Sequence, residues 1–280
     1  MRIHSRTILL ALAVLALGCS KEESGGASSD RLITATVGSG PQIEVKPMTE
    51  LGDDGISVRW STGDKIALWA FNAEGEATLS GSEFALWHYN QEYGDAKFTA
   101  QIEPMAEGSY DYCALSPVPA SVSGTTASYV IASEQNGRFD GRHDVMVATP
   151  VQGAGALQEG DNSEQVNFRF KHKVHVLKID IASNALGEPV EALELTFPRA
   201  VVGTMNIDLR DAGAAPSLTG GAVKLTLRPE QAVDAGSTLV AIIAPADFTT
   251  EEEIRIKAIS RNYESVEARM PGKSFAEGHT

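Results

Sequence analysis

Two histidines stand three residues apart in the run RFKHKVHVLKIDI, at His172 and His175, and their type suits a metal ion. The run alternates in the β manner, and residues three apart on a strand point to opposite faces. One ion cannot be reached by both, so the spacing argues for ordinary strand histidines. The same alternation puts Phe170, His172, Val174, Val176, Lys178 and Asp180 on one face. Each face changes character midway, which predicts a bulge or bend near residues 174–176. Asp140, His143 and Asp144 in GRFDGRHDVMVA are a second titratable group. No serine or cysteine in a nucleophile elbow accompanies them, and no Gly-x-Ser-x-Gly occurs in the chain. LGDDGIS and TEEEI are acidic, but neither has the ligand spacing of a calcium loop. No P-loop, His-Glu-x-x-His or Cys-x-x-Cys is present. The reading is therefore a chain that is not an enzyme and that holds no metal and no cofactor.

The aromatic residues offer binding chemistry instead. Trp60 and Trp69 flank a hairpin pattern and read as core. The stretch LWHYNQEY is polar, aromatic and loop-like. Its Trp87, Tyr89 and Tyr93 are the candidate ligand contacts, because aromatic rings stack on sugars and anchor protein interfaces. A surface glycan-binding protein is the alternative function that these residues carry.

The chain has two cysteines, too few for a disulfide framework. Cys113 lies in the alternating run SYDYCALSP and reads as a small buried hydrophobe. Cys19 follows a basic start, MRIHSR, and an apolar run, TILLALAVLALG. That run is too short for a permanent membrane helix and suits a signal peptide over residues 1–18. The order of basic, apolar and small residues before Cys19 resembles the lipobox of bacterial lipoproteins. The resemblance implies cleavage after Gly18 and acylation of Cys19, with Ala16 departing from the larger aliphatic usual there. Several acyl chains give a stable membrane anchor. The acidic SKEES that follows resembles the signal that sends such lipoproteins to the outer face of the outer membrane.

The elements that would position these residues are strands. Residues 19–30 are rich in Ser and Gly and read as a tether. RLITATV then alternates, with Leu32, Thr34 and Thr36 on one face and Ile33, Ala35 and Val37 on the other. Short β-type runs follow to the end of the chain, among them KIALWAF, ASYVIA, EALELTF and EIRIKAIS. Their spacing and the lack of helical period predict an all-β protein of antiparallel sandwiches. The stretch 152–164, QGAGALQEGDNSE, shows no strand pattern and is the expected boundary. It divides an N-terminal β-sandwich domain, 31–165, from a C-terminal one, 166–280. The formal net charge of -14 repels phosphate backbones, so nucleic acid is not an expected partner.

The order of motifs resembles the fimbrillin family of surface lipoproteins and type V pilus subunits. The likeness rests on the lipobox and tether, then WSTGDKIALWA, FTAQI, YDYCALSPV, HDVMVATP and VNFRFKHKVHVLKIDI. It implies two transthyretin-like antiparallel β-sandwiches in tandem. It implies an outer-membrane-anchored lipoprotein, structural or accessory in fimbriae, with a role in adhesion. The implied partners are other fimbrial subunits or copies of this chain, the membrane through its lipid, and surface glycans or proteins. Assembly would follow removal of the first strand, here RLITATV, and its replacement by a strand from another subunit. The chain departs from the family pattern in the loop after that strand. Lys46 precedes Pro47, and Arg59 already adjoins the next strand. It also ends at GKSFAEGHT, where family members continue into a final strand.

Overall fold

A computed structural model describes residues 32–38, 60–90, 95–157, 166–181, 186–262 and 264–278, the first of these as backbone. Gly18, Cys19, Lys46, Arg59 and Tyr93 lie outside the described residues. The strands begin with β1 (Leu32–Gly38), β2 (Lys65–Phe71), β3 (Ala77–Asn90), β4 (Asp95–Gln101), β5 (Ser109–Ser116), β6 (Ser121–Ser123) and β7 (Thr126–Ile131). They continue with β8 (Glu134–Gln135), β9 (Met146–Ala148), β10 (Val151–Gly155), β11 (Asn167–His172), β12 (His175–Asp180), β13 (Val190–Thr196) and β14 (Val202–Asp208). The rest are β15 (Ser217–Ala222), β16 (Lys224–Leu227), β17 (Thr238–Ile243), β18 (Ala246–Asp247), β19 (Glu253–Ser260), β20 (Ser265–Pro271) and β21 (Ser274–Phe275). Among the described residues the one helical element is a 3-10 turn, Gly141–His143. The all-β expectation holds.

The largest sheet has the order β10-β5-β2-β3-β4-β1-β11-β9 and closes on itself, because β5 also pairs with β9. Nearly all its ladders are antiparallel; β1 with β11 is parallel. KIALWAF explains the role of its middle. After Lys65 every residue of β2 is buried. Ile66, Leu68 and Ala70 enter one core with Phe84, Phe98, Phe168 and Phe170. Ala67, Trp69 and Phe71 enter a second core with Leu193, Met205 and Ile242. β5 divides in the same way, Tyr110, Tyr112 and Ala114 to the first core, Cys113 and Leu115 to the second. A strand buried on both faces reads as a continuous apolar run. β2 and β5 thus form a wall between two cores. Gly81 lets β3 bend over that wall: its φ is +67°, and a Cβ there would sit 3.2 Å from the Trp69 ring.

The second core is enclosed by a sheet of order β20-β19-β13-β16-β8, a sheet of order β15-β14-β7-β6, and the pairs β12-β17 and β18-β21. Strand pairing crosses the expected division at 165/166 in both directions. β11 joins the closed sheet of the N-terminal strands, while β7 pairs with β14 and β8 with β16. The stretch 152–164, expected to be free of strand, holds most of β10. That strand carries little signal because it is Gly-rich, with Gly153 at φ +67° and a register shift before Ala154. The run QVNFRFKHKVHVLKIDI is bent, as its changing faces suggested. The break falls at Lys173 and Val174, one residue earlier than expected at its start, and there the chain leaves β11 and enters β12 in another sheet.

Candidate functional site

The seam around β1 is built from backbone register. Antiparallel to β4, it runs from Leu32 opposite Gln101 to Val37 opposite Ala96. Parallel to β11, it sets Thr36, Val37 and Gly38 against Asn167, Phe168 and Arg169. Among the described strands, β1 alone joins β4 to β11. Ile33, Ala35 and Val37 lie in the rows of Ala100, Phe98 and Ala96, and Phe98 and Ala96 are fully buried. Thr34 and Thr36 lie in the rows of Thr99 and Lys97. The alternation of RLITATV thus matches a slot with a core side and an outer side. An empty slot would offer two rows of backbone donors and acceptors, and such edges capture extended chains.

The candidate ligand contacts lie beside this slot. Leu86 stands opposite Phe98 and Tyr89 opposite Ala96, both in core rows. Between them the register shifts, so Trp87 and His88 together face Lys97. The bulge turns Trp87 outward, 62% exposed, while Tyr89 packs against the core. Trp87 and Tyr89 therefore do not share one face. The ring nearest Trp87 is His88, with centroids 6.2 Å apart. Trp60, expected in the core, meets Phe98 and Phe170 edge-on at 4.9 and 5.9 Å.

The titratable groups are tied into the fold. Nδ1 of His172 donates to Asp144 Oδ1 at 2.7 Å in a buried pair. Nδ1 of His175 donates to the Ala276 carbonyl at 2.9 Å. The two imidazoles thus serve different partners. Lys173 between them is fully buried. Asp140 caps the 3-10 turn, and the hydrogen-bonded Arg142 guanidinium holds its carboxyl below the usual carboxylate range. Burial pushes the Cys113 thiol up to about 11 and the Tyr112 phenol well above its ordinary value. A cavity of about 290 Å³ is lined by Phe71, Asn72, Glu74, Ser109, Asp111 and Arg210. The Arg210 guanidinium lies over the Phe71 ring, 3.8 Å from its centroid. Sequence reasoning identified β1 as a strand and named Trp87, which stands exposed. It missed the bulge and the buried lysine, because both depend on residues far away in the chain.

Comparison with known proteins follows the same lines. No curated protein matches this chain closely enough to count as a relative. Among solved structures, one from Bacteroides uniformis, provisionally described as a cell adhesion protein, is 16% identical. That match covers 90% of this chain and 91% of the other, with a TM-score of 0.58. A second, from Bacteroides ovatus and described in the same way, is 14% identical over 87% and 88%, with a TM-score of 0.55. At such identities the likeness is one of fold. The profile of one family, described as fimbrillin-like, matches residues 52–280. That match spans most of the sequence, and the chain belongs to the fimbrillin-like family.

Proposed function

We propose that this chain is a surface-exposed subunit of fimbriae, structural or accessory, with a role in adhesion and no catalytic one. The observation that carries the proposal is the position of β1, which among the described strands pairs with β4 and β11 alone, across the seam of a closed sheet. Removing it would open a groove lined by the buried Phe98 and Phe168 without disturbing another strand order. A strand from a second subunit would then restore the ladder, its alternate residues repeating the apolar row of Ile33, Ala35 and Val37. Backbone bonds would supply affinity and the alternate side chains register. Cleavage would fall in residues 39–59, where Lys46 and Arg59 are the basic residues.

In this reading Cys19 carries lipid after cleavage at Gly18, residues 20–30 tether the body, and the protein sits on the outer membrane facing outward. No helix among the described residues is long and apolar enough to cross a membrane. Intact-mass measurement of the native mature protein tests anchoring and trimming together. Two species are the expected results, an untrimmed one acylated at Cys19 and a trimmed one that begins beyond Gly38 and has left the lipid behind. A Cys19→Ser variant that still fractionates with membranes would sink the lipid anchor. Lipid-free, trimmed protein that never polymerises nor binds a pilus partner would sink strand exchange.

The exposure of Trp87 supports a second reading, capture of surface glycans. Tyr89 faces the core, so Trp87 with His88 would form that platform. Retention of the parent protein on a sugar affinity gel, lost on Trp87→Ala, is its expected sign.

A further inference from the structure

The outer rim of the β1 slot gathers bases beside an exposed tryptophan. Along one register row stand Trp87 and His88 on β3, Lys97 on β4, Thr36 on β1 and Asn167 on β11. Arg169 follows Asn167 by two residues on the same outward face, opposite Gly38, and Lys171 follows by two more. Phe168 and Phe170 between them are buried. Several exposed bases elsewhere meet acids, Lys65 with Glu83, Arg228 with Glu134 and Arg261 with Glu191, while Lys178 and Arg255 stand singly without an ion pair among the described residues. Lys97, Arg169 and Lys171 have no ion pair among the described residues. Three bases without an ion pair among the described residues thus stand with the most exposed tryptophan at one end of one slot.

We infer that this rim is the docking surface for the body of a second copy of this chain, whose strand occupies the slot. The inference rests on the strand-exchange reading above. Three features select that occupant. A donor strand in the slot brings its own subunit against the rim, so the two contacts are continuous. The chain has more acids than bases, so the body of a second copy has acidic groups to set against Lys97, Arg169 and Lys171. The bulge at Trp87 spends ladder regularity to aim a large ring outward, and tryptophans in such positions dominate interface energies. The slot supplies register, and the rim supplies orientation and the choice of an acidic partner.

The test uses the full chain made lipid-free by Cys19→Ser, with a specific protease site placed between Gly38 and Trp60. After cleavage, light scattering follows assembly, and fluorescence anisotropy follows capture of a synthetic peptide, RLITATVG. Trp87→Ala, and separately Lys97→Glu with Arg169→Glu, should leave peptide capture within about twofold and slow assembly by about tenfold or more. Raising salt from about 50 to about 500 mM should weaken assembly of the parent and not of the charge-reversed chain. Variants that assemble as the parent does would overturn the rim while leaving strand exchange intact. A parent that neither captures the peptide nor assembles would overturn both. Trp87→Ala protein that assembles normally but leaves a sugar gel would overturn the rim in favour of a glycan platform.

Discussion

Nζ of Lys173 donates to Glu277 Oε2 at 2.9 Å, and the two residues are 104 positions apart. The lysine is fully buried, and its ammonium also donates to the Ala214 carbonyl at 2.9 Å. The neighbours of Glu277 are pinned to the same place. The Ala276 carbonyl accepts from His175, and the Gly278 amide donates to the Val174 carbonyl at 3.0 Å. Phe275, just before them, is buried edge-on against His175, Phe197 and Phe248. The last described segment therefore clips the point where the chain passes from β11 to β12.

Lys173 is buried while the Glu277 side chain is 32% exposed, so removing Glu277 leaves the buried ammonium without its counter-charge. Glu277→Ala should cost about 3 kcal/mol of stability on that ground, read as a lower urea midpoint. Replacing both partners, as Lys173→Met with Glu277→Leu, should recover most of the loss, because the buried ammonium disappears with its partner. A single variant as stable as the parent would mean that the pair carries nothing.

Cys113 provides a test of the wall between the two cores. Burial lifts its thiol from an ordinary 9.0 to about 11, against a smaller pull downward from Arg210. The unfolded thiol ionises first, so this contribution to stability is complete below pH 9. It is lost as pH rises from 9 toward about 11. Burial raises the Tyr112 and Tyr129 phenols as well, which adds to the alkaline loss. In the Cys19→Ser chain, where Cys113 is the sole thiol, iodoacetamide at neutral pH should label unfolded protein and spare native protein. Rapid native labelling would contradict the burial of β5.

Ser260 ends β19 with its hydroxyl buried and no hydrogen-bond partner among the described residues. An unsatisfied buried hydroxyl lowers stability, so Ser260→Ala should raise it by about 1 kcal/mol. Calorimetry would show a higher Tm. A lower Tm would mean that the hydroxyl has found a partner after all.

The proposed units 31–165 and 166–280 can be examined by limited proteolysis. The polar sequence after Leu157, QEGDNSEQ, is the expected place for a nick. The two fragments should stay together on gel filtration, because β7 pairs with β14 and β8 with β16 across the cut. They should separate in urea. Fragments that part without denaturant would mean that each unit is complete alone.

The strands themselves were legible. KIALWAF, ASYVIA, EALELTF and EIRIKAIS each declare a strand because side-chain alternation and burial are local properties. The bend in QVNFRFKHKVHVLKIDI was legible for the same reason, since its apolar face switches sides. β10 was not, because its glycines carry no pattern.

The sequence by itself determined an all-β chain, the alternation of a first strand that fits a two-sided slot, and the order of motifs of the fimbrillin-like family. Only the tertiary structure decided which strands are neighbours. It placed β1 between β4 and β11, sent β7 and β8 to sheets with later strands, and made β2 and β5 a wall between two cores. It also parted Trp87 from Tyr89 by a bulge and buried Lys173 against Glu277. The reason is that pairing, register and charge compensation are settled between residues far apart in the chain. Alternation reports only which way a side chain leaves its own strand.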